Sequence, residues 1–496
     1  MANLKGEIKL NVNAIQNKVF NATKWSAMTE IAAKLVSPLT NMILARIIAP
    51  EAFGVVATIT MITSFADMFT DAGFQKYLVQ HNFKDNEEKH KNANVAFLTN
   101  LAISLVLWII IAFYSGEIAV LVGNPGLGIV ITVACFQLPL TAFSSIQMSL
   151  YRRDFDFKTL FMVRMFSIFI PFFVTIPLAF LGLSYWALII GMISMQLSNA
   201  IILTMKSKWK PKWYYKFSVL KEMLSFSIWS LIEAISIWLT IWVDVFIIGS
   251  LLNEYYLGIY KTSTTMVNSI MSLITAATVP VLFSILSRLQ NDRELFKQTF
   301  FNMQKIVSVL VFPLGVGVWL FSDLVTRILL GSQWIEASEI IGIWALTSVI
   351  TIVFGNYSSE VYRAKGKPKL SFLAQMLHLI VLIPACLISS KYGFWALVYT
   401  RSMIRLEFVL VHFLIMKFIM GISIIKTIKN VSLPAISAII MGVIGCNLQK
   451  MSEGLYWNIL SIIICIILYF SLLFIFPSMR KDLVTIVKKF IKRIDN

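Results

Sequence analysis

Residues 180–216 read FLGLSYWALIIGMISMQLSNAIILTMKSKWKPKWYYK. They open on a short turn without charge, continue through an apolar run, and end in eleven residues that carry five lysines. A bilayer core about 30 Å thick is crossed by roughly 20 mostly apolar residues in a helix. Short connections rich in lysine and arginine stay on the cytoplasmic side during insertion. The stretch therefore reads as an outer turn, an inward-running transmembrane helix and a cytoplasmic loop.

Working outward, the same beat runs through the whole chain. The length criterion gives fourteen spans, numbered 1 to 14 and lying near 25–48, 53–79, 93–114, 126–150, 158–181, 184–205, 222–249, 255–287, 298–321, 335–361, 370–389, 393–416, 431–448 and 456–476. Of 43 lysines and arginines, thirty-two lie in the even-numbered connections and the two ends, counting Lys158 with its loop. Four, counting Arg46, lie in the odd-numbered connections, and seven lie inside spans. Odd spans thus run outward and even spans inward, and both ends are expected in the cytoplasm of an inner-membrane-type, multi-pass protein.

Composition agrees. At 58% hydrophobic and 14% charged, the chain is neither disordered nor an ordinary globular protein. The net charge of +18 would suit a nucleic-acid partner, but the basic residues border apolar spans, where they serve topology and adhesion to anionic headgroups. No nucleic acid is expected. Cys135, Cys386, Cys446 and Cys465 sit far apart within apolar segments, and with His81, His90, His378 and His412 they form no metal-ligand spacing. No metal or cofactor is expected. Residues 1–24 lack the apolar core of a signal peptide and read as a cytoplasmic amphipathic lead-in. The tail 477–496 is basic and amphipathic and suits the surface of the inner leaflet.

The chain also repeats. A shift of 204 residues lays Trp25-Ser26 on Trp229-Ser230, and Phe53-Gly54-Val55 on Leu257-Gly258-Ile259. Further on, Tyr151-Arg152 matches Tyr362-Arg363, and Trp186-Ala187-Leu188 matches Trp395-Ala396-Leu397. Six spans is an even number, so both copies insert with one orientation, as parallel repeats about an axis along the membrane normal. The expected fold is an all-α polytopic membrane protein of about fourteen transmembrane helices. It comprises an N-lobe at 25–205, a basic linker at 206–221, a C-lobe at 222–416 and two extra helices within 431–476. Such an arrangement suits a transporter whose halves rock around a central site.

The opening stretch with Trp25, Ser26, Ala45-Arg46, Pro50, Phe53-Gly54, Asp71, Gly73-Phe74 and Gln80 resembles the start of Wzx-type bacterial polysaccharide flippases of the MOP transporter superfamily. The Tyr151-Arg152-Arg153-Asp154 loop and the GLSYWAL and YGFWAL stretches resemble that family too, over roughly residues 20–420. The resemblance implies a carrier that turns undecaprenyl-pyrophosphate-linked sugar repeat units from the cytoplasmic to the outer leaflet for O-antigen, capsule or exopolysaccharide synthesis. It implies partners in membrane lipids and in a polysaccharide polymerase with its chain-length machinery. It further implies a central cavity between lobes lined by spans 1, 2, 7 and 8. Many relatives have twelve spans, so spans 13 and 14 are a departure.

Charges deep in spans are the only chemical signals, because each costs about 2.5–3.5 kcal/mol at a helix centre and such residues face a water-filled cavity or a partner. Arg46, Lys76, Glu222, Lys305 and Glu360 are set aside, since side chains near helix ends snorkel to the interface. Near mid-depth lie Lys34, Asp67, Arg164, Glu233, Arg401 and Arg405, with Glu30, Asp71, Asp244 and Lys261 shallower. Glu30 and Lys34 are four apart on one helix face, as are Asp67 and Asp71, whose like charges repel. Arg401 and Arg405 make a doubly basic stripe. A guanidinium fork suits pyrophosphate oxygens and carboxylates equally.

Two readings stand side by side. In one, these groups are buried ion pairs that fix helix packing. In the other, Lys34, Lys261, Arg164, Arg401 and Arg405 bind pyrophosphate and acidic sugars, while Asp67, Asp71, Glu30, Glu233 and Asp244 exchange H+ or Na+ to return the empty carrier. The resemblance favours Lys34, Asp67, Glu233 and Lys261. Trp238 and Trp242 suit either sugar stacking or lipid-facing packing. Pro38, Pro139, Pro171, Pro280, Pro313 and Pro384 interrupt spans and favour bends, with Pro38 the hinge candidate. Walker motifs, nucleophile elbows and zinc-ligand patterns are absent. A carrier for another solute, multidrug or lipid precursor, would share this architecture. A membrane glycosyltransferase or polymerase would need a long outer loop bearing catalytic residues, and no outer loop here exceeds about fifteen residues.

Overall fold

The computed structural model describes residues 2–480, apart from 72, 453 and 478. Among these residues every regular element is a helix. Twelve helices are long and apolar enough to cross a membrane, and they coincide with twelve of the fourteen expected spans. The other two spans are helical as well, lying within Ala2–Ile47 and at Phe394–Phe418. These are the helices whose apolar character is diluted by Glu30 and Lys34, and by Arg401, Arg405 and Glu407. The amphipathic tail falls almost wholly outside the described residues.

Several helices begin well before the apolar run that marks the span. Span 3 starts at Asn86 rather than near residue 93. Asp85 is its N-cap, accepting from the Glu88 amide at 2.7 Å, and the Glu88 carboxylate reaches back to the Lys84 amide at 2.6 Å. The first bond satisfies one of the backbone donors that a helix start leaves open, and the second fastens the chain just ahead of the cap. Asp156, Asp292 and Ser423 cap spans 5, 9 and 13 in the same way, each accepting from the amide three residues on. All four caps stand at even-numbered connections. The tight turns before spans 6 and 12 reuse one device, a glycine with left-handed backbone: Gly182 at φ 81° and Gly393 at φ 96°.

Of the six prolines, two adjoin breaks. Span 4 is divided at Phe136, with Pro139 in the first turn of Gln137–Arg153. Span 5 is divided at Val174, just after Pro171. The helices run through Pro38, Pro280, Pro313 and Pro384. Span 10 is interrupted without proline, by a π-helical segment at Thr351–Asn356 between Ala337–Ile350 and Tyr357–Ala364. Such π insertions are frequent at functional positions.

By contacts the chain divides into two compact units: residues 1–262 with 386–394, and residues 263–385 with 395–496. The division falls inside the span 8 helix, Glu254–Arg288. In the first unit, span 2 packs on spans 3, 4, 6 and 7, and a core around Val55, Ile59, Ile131, Leu138 and Ile189 fills the space. In the second unit, span 9 packs on spans 10 and 13, and span 13 on span 14. The two extra helices are fastened to span 9 by polar groups as well. Asn430 donates to the Phe301 carbonyl at 2.8 Å, Tyr469 to Val309 at 2.9 Å and Gln449 to Leu320 at 2.7 Å. In an apolar surround, such side chain-to-carbonyl bonds fix position.

Candidate functional site

The first unit holds a cavity of about 370 Å³ lined by Ser64, Asp67 and Thr70 of span 2, Asn100 of span 3, and Thr141 and Ser145 of span 4. Five of these six side chains are hydroxyls or amides, and Asp67 supplies the carboxylate. The lining is organised: Asn100 donates to Ser145 at 3.0 Å, and Ser104 donates to Asn100 at 3.2 Å. Span 7 contributes Leu231 and Ala234 to the same wall. A polar room of this size between apolar helices holds water or a polar ligand, because unfilled buried polar surface is costly. Asp67, expected at mid-depth, is therefore placed where a mid-span charge is tolerable.

Span 7 is attached to span 2 beside that cavity. The Trp238 indole donates to Ser64 at 3.0 Å, and its ring meets Phe65 with centroids 4.9 Å apart. Trp242 is buried, and the Lys261 ammonium sits 3.9 Å from its ring centre. Both tryptophans are thus engaged with protein groups. Asp244 is buried and accepts from the Tyr260 hydroxyl at 2.6 Å, while its other oxygen accepts from the Val245 amide at 2.8 Å. Glu30 and Arg164 are exposed on their helices, and Lys34 and Pro38 are half-buried. The side chains of Asp71 and Glu233 lie outside the described ones.

The crossing of spans 2, 7 and 8 has a reciprocal form. A Cβ on Gly54 would fall 2.7 Å from the carbonyl carbon of Glu254, and one on Gly258 would fall 2.7 Å from the carbonyl carbon of Pro50. Gly54 corresponds to Gly258, and Pro50 to Glu254, under the 204-residue shift of the sequence repeat. Each glycine meets the backbone one turn before its counterpart, so the two repeats touch through equivalent atoms about a local two-fold axis. Gly123, at φ 78°, makes a similarly close approach to the backbone of Gly249. Only glycine permits this proximity.

In the second unit, both span 12 arginines converge on Trp344 of span 10. Arg405 stacks 4.2 Å from the ring centre and Arg401 lies 5.4 Å from it. Arg405 also donates to the Trp344 carbonyl and the Thr347 hydroxyl, both at 3.2 Å. The indole in turn donates to Asn268 of span 8 at 3.3 Å. The two arginines thus share one aromatic ring, with Arg401 buried against it and Arg405 half-buried.

Sequence reasoning passed over one pair. His378 of span 11 and Glu407 of span 12 meet at 2.8 Å, through Nδ1 and Oε2. The signal was present: His378 stands twelve residues before Ser390, and Glu407 thirteen after Phe394, so the two are level across a helical hairpin. Among the described residues, no three or more His, Cys, Asp or Glu side chains cluster as metal ligands.

Comparison with known proteins bears on this arrangement. A family profile described as "Polysaccharide biosynthesis protein" matches residues 43–339. An "uncharacterized membrane protein in cps region" of Klebsiella pneumoniae is 22% identical over 472 residues, covering 94% of this chain and 96% of its own. The succinoglycan biosynthesis transport protein ExoT of Rhizobium meliloti is 25% identical over 326 residues, 66% of this chain and 65% of its own. Among solved structures, the lipid II flippase MurJ in an inward closed conformation superposes with a TM-score of 0.75 at 17% identity, over 93% of this chain and 100% of that one. The fold is thus shared with that lipid II flippase.

Proposed function

The chain belongs to the polysaccharide biosynthesis protein family, and from that membership we propose that it is a flippase for undecaprenyl-pyrophosphate-linked oligosaccharides. It carries the repeat unit across the cytoplasmic membrane by alternating access, as a carrier and without a chemical step of its own. Both termini face the cytoplasm, and the product is handed to a polymerase and its chain-length machinery. The observation that carries the reading is the polar cavity around Asp67, set among membrane-spanning helices. A purely structural membrane protein gains nothing from an organised polar room, whereas a carrier of hydrated head groups requires one.

The charged residues divide between the tasks. Lys34, Lys261 and Arg164, with the Arg401–Arg405 face, are the cations for pyrophosphate and acidic sugar. The Trp344 ring holds the half-buried Arg405 guanidinium in place, which lowers the ordering cost of binding an anion. Asp67, Asp71, Glu30, Glu233 and Asp244 are the carboxylates available for ion exchange. Pro38 is the hinge of span 1, and the lobes that move are the repeat units 25–205 and 222–416.

The test is transport itself. Purified protein in liposomes should move undecaprenyl-pyrophosphate-linked oligosaccharide between leaflets, and a null strain should lose the corresponding surface polysaccharide. Normal polysaccharide in the null strain together with inactive proteoliposomes would refute the assignment. Lys34→Ala and Arg405→Ala should abolish complementation at normal protein levels.

A further inference from the structure

We infer that the polar cavity of the first unit seats a neutral, hydroxyl-rich sugar ring of the cargo and turns away its anionic parts. The inference rests on the flippase reading above and narrows it. At about 370 Å³, the cavity is small among ligand pockets, which run from roughly 300 to 1,000 Å³. It has room for a sugar ring and not for a whole repeat unit. Its span 2 lining runs from Ser64 to Thr70 and on to Gln75, in the later half of an inward-running span. By the orientation proposed above, that is the side from which cargo is loaded.

The hydrogen bonds show what the lining offers. A hydroxyl has one proton to donate and lone pairs that accept. Here the protons are taken up by the helices themselves. Ser64 donates to the Met61 carbonyl and Thr70 to that of Asp67, both at 3.0 Å. Thr141 donates to the Gln137 carbonyl at 2.9 Å, and Ser145 to that of Ala142 at 3.5 Å. What these four side chains turn to the cavity is oxygen lone pairs. Asp67 adds a carboxylate, whose oxygens have about four accepting sites, enough for a ligand beside its protein neighbours. Asn100 gives one amide hydrogen to Ser145 and has a second, suited to a hydroxyl or acetamido oxygen. No lysine, arginine or histidine is among the described residues that line the cavity.

Such a wall is the complement of a sugar and not of a phosphate. A pyranose carries hydroxyl protons around its rim, and these replace the donors that the lining has given to its own helices. Its C–H faces need apolar surface, and Met68, Leu231 and Ala234 provide it. A pyrophosphate or a uronate would set negative charge against Asp67 and against lone pairs, with its desolvation uncompensated. Those groups belong with the cations, outside this cavity. An acceptor left without its donor is costly, so a site built to bond sugar hydroxyls discriminates strongly against a ring that lacks one. Specificity thus has two sources: acceptors that satisfy the neutral ring, and a carboxylate that repels the acidic one.

The experiment is a binding titration on full-length protein in nanodiscs. The probes are undecaprenyl pyrophosphate without sugar, its glucose and galactose conjugates, and the matching glucuronic and galacturonic acid conjugates. Each affinity is taken as a ratio to that of the sugar-free lipid in the same variant, so a general loss of binding cancels. In the wild type one neutral sugar should tighten binding at least about tenfold, and its uronic acid less than about threefold. Asp67→Asn should bring the acid within about threefold of the neutral sugar. Thr141→Val and Ser145→Ala should each cut the neutral sugar's gain to about threefold or less, without rescuing the acid. A wild type that gains nothing from either neutral sugar, or binds the uronic acids as tightly, would overturn the inference while leaving the flippase reading intact. So would a gap between neutral and acidic sugar that Asp67→Asn leaves unchanged, or a neutral-sugar gain undiminished in both hydroxyl variants. A protein that binds none of these lipids, and moves none of them in liposomes, would sink both.

Discussion

Gly54→Ala tests the reciprocal crossing most directly. The added methyl would lie 2.7 Å from the Glu254 carbonyl carbon, where ordinary contact begins at 3.4 Å. The N-terminal turns of spans 2 and 8 must therefore part by about 0.7 Å at this atom, and by more at the carbonyl oxygen, which is nearer. The listener on the other side is backbone, which has no rotamer with which to retreat. Overpacking of this kind costs roughly 1–3 kcal/mol. If the crossing exists in only one of the carrier's conformations, that cost falls on one state and shifts the balance by about 5- to 150-fold. Gly258→Ala should do the same against Pro50. The double variant should cost less than the sum, since one separation relieves both contacts.

The assay is thiol accessibility. Thr58, 2% exposed, lies one turn deeper on span 2 than Gly54 and would be uncovered as the helices part. In a background lacking the four native cysteines, Thr58→Cys should label with an impermeant reagent at least five times faster when Gly54→Ala is present. The flipping rate should change along with it. Unchanged labelling and unchanged transport in both glycine variants would refute the reasoning that the backbones of spans 2 and 8 meet too closely at these positions for any side chain. Loss of thermal stability with no change in labelling would reassign it to packing.

Further expectations follow from single contacts. Gly317→Ala in span 9 has nothing within 4 Å of its new methyl, so it should gain up to about 1 kcal/mol of helix propensity and raise Tm in detergent. Tyr260→Phe removes the 2.6 Å bond to the buried Asp244 carboxylate and should cost roughly 1.5–3 kcal/mol, seen as a lower Tm that Asp244→Asn in the same chain partly restores. Arg405→Lys keeps the charge but loses the planar stack and the Nη1 that donates to both the Trp344 carbonyl and the Thr347 hydroxyl. It should impair complementation nearly as much as Arg405→Ala, and full activity in the Lys variant would show that charge alone suffices.

How far the sequence reveals this molecule depends on which force wrote each feature. Bilayer thickness writes hydropathy, so the fourteen spans are legible from composition. Helix length is set by backbone capping, which hydropathy does not register; Asp85-Asn-Glu-Glu88 was the visible clue that span 3 starts at Asn86. The repeat was legible as matched letters, and Gly54 and Gly258 stood out in it. What the letters could not say is that the two glycines touch each other's repeat, because a local two-fold axis is a property of arrangement. Charges show the same divide. Asp67, Arg401 and Arg405 were found because a charge in a span is conspicuous on its own. His378 was not, since a single histidine carries no such alarm and its partner is twenty-nine residues away. Equal distance from the turn at Ser390–Phe394 supplies the missing rule. In a helical hairpin, ionisable residues level with each other across a tight turn are a pair to be read together, even where each alone looks like packing.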